Sequence, residues 1–190
     1  LRDELNRLTI ARGEGEGVLY YTAHLKTRLW ASEAKAISRG ITVQREYFAE
    51  GDPNTPITGA KVGDVITVRL TITLPQNIYY FVLEDPLPAG TEGVNTSLLT
   101  TSTLTEGPVL RPQRDPRWWW GWWWFKHTEM RDEQVNLYAD FLPRGTYVYT
   151  YQIRASVAGE FQTMPAHAYA FYFPEVFGRG EGTLFTVLPE

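Results

Sequence analysis

Hydrophobic and polar positions alternate with period two through much of the chain, the spacing that puts successive side chains on opposite faces of a strand. The cleanest run is Val65-Ile-Thr-Val-Arg-Leu-Thr-Ile-Thr-Leu74. Ile41-Thr-Val-Gln-Arg-Glu-Tyr47, Ile78-Tyr-Tyr-Phe-Val-Leu83, Val135-Asn-Leu-Tyr-Ala-Asp-Phe141, Tyr147 to Ala155, Ala166 to Tyr172 and Thr183-Leu-Phe-Thr-Val-Leu188 read the same way. This gives about seven strands after residue 40, at roughly the 8–12-residue spacing of a sandwich. Turn signals punctuate them: Gly51-Asp-Pro-Asn-Thr-Pro56, Lys61-Val-Gly-Asp64, Leu142-Pro-Arg-Gly145 and Gly159. Glu84-Asp-Pro-Leu-Pro-Ala-Gly90 closes the third run, because its prolines donate nothing to a ladder. The pattern predicts an all-β, immunoglobulin-like antiparallel sandwich, and no repeat of 20 to 50 residues is visible in it.

The first 36 residues are different. Leu8-Thr-Ile10 and Val18-Leu-Tyr-Tyr-Thr-Ala-His-Leu25 flank Gly13-Glu-Gly-Glu-Gly17, which predicts a short β-segment of two strands joined by a glycine-rich turn. A lone hairpin is marginal in water and must lean on another sheet. Trp30 to Ser38 reads as a weak helical turn or a linker. Thr91 to Arg117 is a long polar loop rich in Thr, Ser and Pro.

Composition narrows the function classes. A chain of 190 residues, 43% hydrophobic, suits one β-domain or one and a fraction. Eighteen basic residues stand against 22 acidic ones with no long run of either sign, so there is no electrostatic footprint for nucleic acid. The absence of cysteine excludes disulfides, a zinc-thiolate site and a cysteine nucleophile. No stretch reaches the roughly 18 apolar residues of a membrane span. The opening Leu1-Arg-Asp-Glu-Leu-Asn is charged from its second residue and lacks an initiator Met. It reads as part of something larger or as a processed product.

Little here points to catalysis or to a cofactor. The serines lie in no nucleophile-elbow pattern and pair with no histidine. Glu84 and Asp85 are adjacent in a strand and point apart, which leaves Asp85 the task of capping the turn before Pro86. His127, Glu129 and Asp132 match no single strand or helix face, so no metal site is expected. Acidic Gly13 to Gly17 would repel a phosphate. The unusual feature is Trp118-Trp-Trp-Gly-Trp-Trp-Trp124. Trp118, Trp119, Trp120, Trp122, Trp123 and Trp124 cannot all be buried in one strand. They read either as a loop folded over a sandwich or as an exposed patch for a glycan, a membrane interface or a protein. Arg111, Arg114 and Arg117 on one side, and Lys126 and His127 on the other, suit cation–π stacking or anionic headgroups.

A family resemblance rests on an ordered series of short elements. They are Gly40-Ile-Thr-Val-Gln-Arg-Glu-Tyr47, Lys61-Val-Gly-Asp64, Glu84-Asp-Pro-Leu-Pro-Ala-Gly90, Arg131-Asp132, Leu142-Pro-Arg-Gly-Thr-Tyr-Val-Tyr-Thr-Tyr151, Arg154-Ala155, Gly159-Glu-Phe161, Met164-Pro-Ala166 and Tyr172-Phe-Pro-Glu-Val-Phe-Gly-Arg179. In this order they resemble the C-terminal macroglobulin-like (MG10) domain of bacterial α2-macroglobulin-like proteins. Asn6 to Ile10 and Gly17 to Tyr21 resemble the segment that returns from the thioester domain in that family. Residues 1–36 are thus expected to be the C-terminal part of a CUB-like β-domain or a linker, and 37–190 the sandwich.

The resemblance implies a non-enzymatic part of a large periplasmic or secreted, membrane-associated protease trap. In such a trap bait cleavage triggers a rearrangement, and a Cys–Gln thioester captures the protease. The thioester would lie upstream, and this domain would pack on the thioester domain and shield it from water. The implied shield positions are Phe171 and Tyr172. The family often has Met at the first, and its Arg-Asp-Asp-Arg is altered here to Arg131-Asp-Glu-Gln134. Read instead as neighbours in one strand, Phe171 and Tyr172 point one to the core and one to the surface. A different function also fits the composition: an adhesion or carbohydrate-binding sandwich with the Trp run as its platform.

Overall fold

The computed structural model of the protein describes residues 7–24, 28–94, 109–112 and 125–190, with residues 109–112 and 125–126 described as backbone alone. A 3-10 turn at Ala31–Glu33 precedes the strands. In chain order these are β1 (Ile37–Arg39), β2 (Thr42–Ala49), β3 (Pro56–Ile57), β4 (Gly59–Lys61), β5 (Val65–Leu74), β6 (Ile78–Pro86), β7 (Thr91–Gly93), β8 (Val109–Pro112), β9 (Phe125–Met130), β10 (Gln134–Leu142), β11 (Gly145–Ala155), β12 (Gly159–Thr163), β13 (His167–Ala170), β14 (Phe173–Arg179) and β15 (Thr183–Leu188). One sheet runs β1-β14-β13-β6-β10-β9. The second runs β3-β2-β5-β11-β7, with β8 also on β11. A small third sheet runs β12-β15-β4, and its β15–β4 pairing is parallel.

On the two longest strands, β5 and β11, the alternation read from the sequence is the burial pattern. On β5, Ile66, Val68, Leu70, Ile72 and Leu74 are buried, and on β11 so are Tyr147, Tyr149, Tyr151 and Ile153. Antiparallel register sets Leu70 against Tyr149, Val68 against Tyr151 and Ile66 against Ile153. Phe81 and Leu83 of β6, Val135 and Leu137 of β10, and Ala168 and Ala170 of β13 join the same core. Each large aliphatic side chain buried this way contributes about 1.5–3 kcal/mol, and a one-residue slip would turn the whole set outward, so the register is firmly specified.

All seven alternating runs carry a strand: β2, β5, β6, β10, β11, β13 and β15. The Lys61–Asp64 turn forms as expected. The Asp64 amide donates to the Lys61 carbonyl at 3.1 Å, and Asp64 Oδ2 accepts from the Lys61 amide at 2.8 Å. Gly63 takes a φ of +94°, which a side chain there would resist. At the next predicted turn, Tyr147 Oη donates to the Pro143 carbonyl at 2.8 Å, and burial pushes this phenol up to about 12.

Two readings are corrected. The glycine-joined hairpin does not form: residues 7–24 contain no strand, only a bend at 14–17, and their side chains are exposed. The segment packs on no sheet among the described residues, and a hairpin without such support is marginal in water. The strand expected over Ala166 to Tyr172 ends at Ala170, and a second strand, β14, starts at Phe173. Pro174 and Gly178 disguise β14 in the sequence. Gly178 is pinched between β1 and β13, paired with Ser38 and Ala168. A Cβ there would run into the Ile41 backbone carbonyl, which cannot swing away. Gly178→Ala is therefore expected to cost about 1–3 kcal/mol of unfolding free energy, read from the urea midpoint; an unchanged midpoint would contradict this contact.

Candidate functional site

The start of β6 and the β13–β14 turn form an aromatic surface. A regular strand buries every second residue, yet Tyr79 and Tyr80 are adjacent and both exposed, at 61% and 50%. The backbone supplies the reason. Tyr80 has a φ of +52°, the single non-glycine in the left-handed region among the described residues. That conformation costs an aromatic residue on the order of 1–3 kcal/mol and persists only where surrounding contacts enforce it. Here the Tyr80 carbonyl accepts the Phe171 amide at 2.9 Å, which ties β6 to the turn.

Phe171 and Tyr172 occupy that turn. They are 58% and 64% exposed, so neither enters the core, and the alternate-face reading of this pair is corrected. The cause is the turn itself: β13 ends at Ala170, and the pairing shifts register between Tyr169 and Ala170. The rings form a chain. Phe171 meets Tyr172 edge-on with centroids 5.2 Å apart, and Tyr172 meets Tyr80 edge-on at 4.9 Å. Tyr79 lies 4.8 Å from Phe141 across the β6–β10 pair. Edge-to-face pairs at such distances hold one another in place by about 0.5–1.5 kcal/mol each. A depression of about 160 Å³ opens beside them, floored by Phe81 and Val82 and flanked by Tyr138 and Asp140. Phe173, 61% exposed, follows at the head of β14. The surface is an exposed aromatic face with hydroxyl tips.

Toward the other end of β6 a buried ion pair joins the two large sheets. Asp85 of β6 is fully buried, and the Arg45 side chain of β2 is 3% exposed. Arg45 Nη1 donates to Asp85 Oδ1 at 2.6 Å and to the Pro86 carbonyl at 3.1 Å, and Nη2 donates to the Met164 carbonyl at 2.9 Å. Tyr151 Oη of β11 donates to Asp85 Oδ2 at 2.7 Å. Burial pulls Arg45 down, but the Asp85 carboxylate together with the Tyr47 and Tyr151 phenols holds the guanidinium above its ordinary value. Burial, and then the Asp85 charge, raise the Tyr151 phenol well above its usual range. Asp85 is thus the anion of an inter-sheet network and not the expected turn cap. Glu84 points the other way, toward Tyr169 Oη at 3.4 Å.

The other sequence candidates are scattered. Glu129 is engaged by Arg131 at 2.9 Å, and His127 stacks on Tyr138 with centroids 6.1 Å apart. Among the described residues no group of three or more His, Cys, Asp or Glu side chains is placed to hold a metal ion, and no helix is long and apolar enough to cross a membrane. Trp118, Trp119, Trp120, Trp122, Trp123 and Trp124 lie outside the described residues.

Two antiparallel sheets around one buried core define a β-sandwich domain. The family model described as the bacterial alpha-2-macroglobulin MG10 domain matches residues 40–175, more than half of the chain, and the chain belongs to that family. It is 28% identical over 176 residues to an alpha-2-macroglobulin homolog of Nostoc, covering 87% of this chain and 9% of that protein. It is 28% identical over 173 residues to circularly permutated Ras protein 2 of Dictyostelium discoideum, covering 87% of this chain and 4% of that one. The chain therefore spans less than a tenth of the length of these relatives. The native alpha-2-macroglobulin of Escherichia coli, from its MG7 domain to the C-terminus, superposes with a TM-score of 0.65 at 20% identity, over 81% of this chain and 24% of that one. The likeness to that structure is one of fold.

Proposed function

We propose that this chain is the C-terminal domain of a bacterial α2-macroglobulin-like protease trap, with no catalytic role of its own. It docks on the thioester domain of the same parent through the β13–β14 turn and keeps water from the thioester until bait cleavage. In this reading residues 37–190 are the docking sandwich, residues 1–36 belong to a CUB-like neighbour or a linker, target proteases are met by the whole parent, and the parent works in the periplasm or outside the cell.

The observation that carries the reading is the interlocked, solvent-facing set Tyr80, Phe171 and Tyr172 on a sheet end. A thioester is lost when water attacks its carbonyl carbon and the thiolate leaves. A lid slows that step by excluding water, and aromatic rings with two side-chain torsions do so at small entropic cost. Phe171, where the family often has Met, still supplies apolar volume.

In the full-length parent, Phe171→Ala with Tyr172→Ala is expected to speed spontaneous thiol release roughly tenfold or more, a barrier change of about 1.4 kcal/mol per factor of ten. Release is followed with a thiol reagent before any protease is added. An unchanged rate overturns the shielding role, and a parent gene without an upstream Cys–Gln thioester motif overturns the trap itself.

A further inference from the structure

We infer that Tyr80 is a positioning residue for the Phe171–Tyr172 lid, an inference that rests on the shielding role proposed above. Three observations meet at this residue. Its φ of +52° brings two consecutive tyrosines of one strand to the surface. Its carbonyl accepts the Phe171 amide at 2.9 Å and so fixes where the turn leaves β13. Its ring stands edge-on to Tyr172 at 4.9 Å, while Tyr172 is edge-on to Phe171 at 5.2 Å.

Without the left-handed step, strand alternation would send one of Tyr79 and Tyr80 into the core, and Tyr172 would lose its lateral support. Both lid residues are more than half exposed within this chain, so nothing in the core immobilises them. Tyr80 supplies that restraint from an adjacent strand through one main-chain bond and one ring contact. It sets the direction of the lid.

The test uses the full-length parent and three variants: Y80N, Y80F and Y80N/Y172A. Asn tolerates the left-handed conformation, so Y80N keeps the backbone and removes the ring. Y80N is expected to speed spontaneous thiol release roughly two- to tenfold, the span given by one aromatic pair. Y80F, which keeps the ring, restores slow release. Y80N/Y172A is no faster than Y172A alone, because both changes disable one unit.

A core variant far from the turn, F185L, lowers the melting temperature without speeding release, which separates positioning from general destabilisation. Slow release in Y80N while Y172A is fast overturns the inference and leaves the shield standing. Y80F as fast as Y80N overturns the ring contact as its basis. Slow release in Y172A as well overturns the shield and this inference together.

Discussion

Replacing Asp85 with Ala is expected to lower the unfolding free energy by about 3–5 kcal/mol, the range for removing one partner of a buried ion pair. The size follows from what remains. Asp85 is fully buried, and the Arg45 side chain beside it is 3% exposed. Without the carboxylate a guanidinium stays in the core beside the Pro86 and Met164 carbonyls and the Tyr47 ring, with its paired anion gone. Tyr151 loses its acceptor at the same time. Tyr151→Phe removes one bond to a charged group and is expected to cost less, about 1.5–3 kcal/mol. Urea unfolding at constant m-value reads both. A loss below about 1 kcal/mol for Asp85→Ala would mean that water reaches Arg45 and that the network does not join the sheets as described.

Phe185→Ala is expected to cost a similar amount, about 3–5 kcal/mol, for a different reason. Phe185 of β15 is fully buried, with its ring 4.8 Å from that of Tyr47 on β2. With Val187, and with Phe161 packed alongside, it carries the small β12-β15-β4 sheet into the main core. Truncation removes apolar contact and leaves a cavity walled by residues that other pairings hold in place. Unfolding free energy measures the loss. A cost near that of a surface substitution, within about 0.5 kcal/mol, would show that the small sheet collapses to refill the space or never depended on this ring.

The long strands were legible because alternation and burial are one signal on a half-buried sheet. β5 and β11 follow the sequence pattern residue by residue. The short strands were not legible, since two or three residues such as Pro56–Ile57 or Gly59–Lys61 carry no periodicity, and pairing across the fold creates them. The β13–β14 corner reads as one strand in the sequence because Phe-Tyr-Phe continues the apolar run, whereas the left-handed Tyr80 and the register shift after Tyr169 leave both rings of Phe171 and Tyr172 exposed in a turn.

Part of the buried network had a sequence signal. Arg45 shares the inward parity of Val43 and Tyr47, and Asp85 that of Phe81 and Leu83, so each is a charge at a core position. Two opposite charges at inward positions of separate strands are best accommodated by meeting. The sequence could not show that they meet across the two sheets, nor that Tyr151 joins them.

The docking of the aromatic turn is tested most directly by hydroxyl-radical footprinting of the full-length parent before and after bait cleavage. In this chain Tyr79, Tyr80, Phe171, Tyr172 and Phe173 are each at least 50% exposed and open to labelling. The predicted result is protection of Phe171, Tyr172 and Tyr80 in the uncleaved parent, with labelling rising on cleavage. Full labelling of these rings before cleavage would contradict a lid held against the thioester domain.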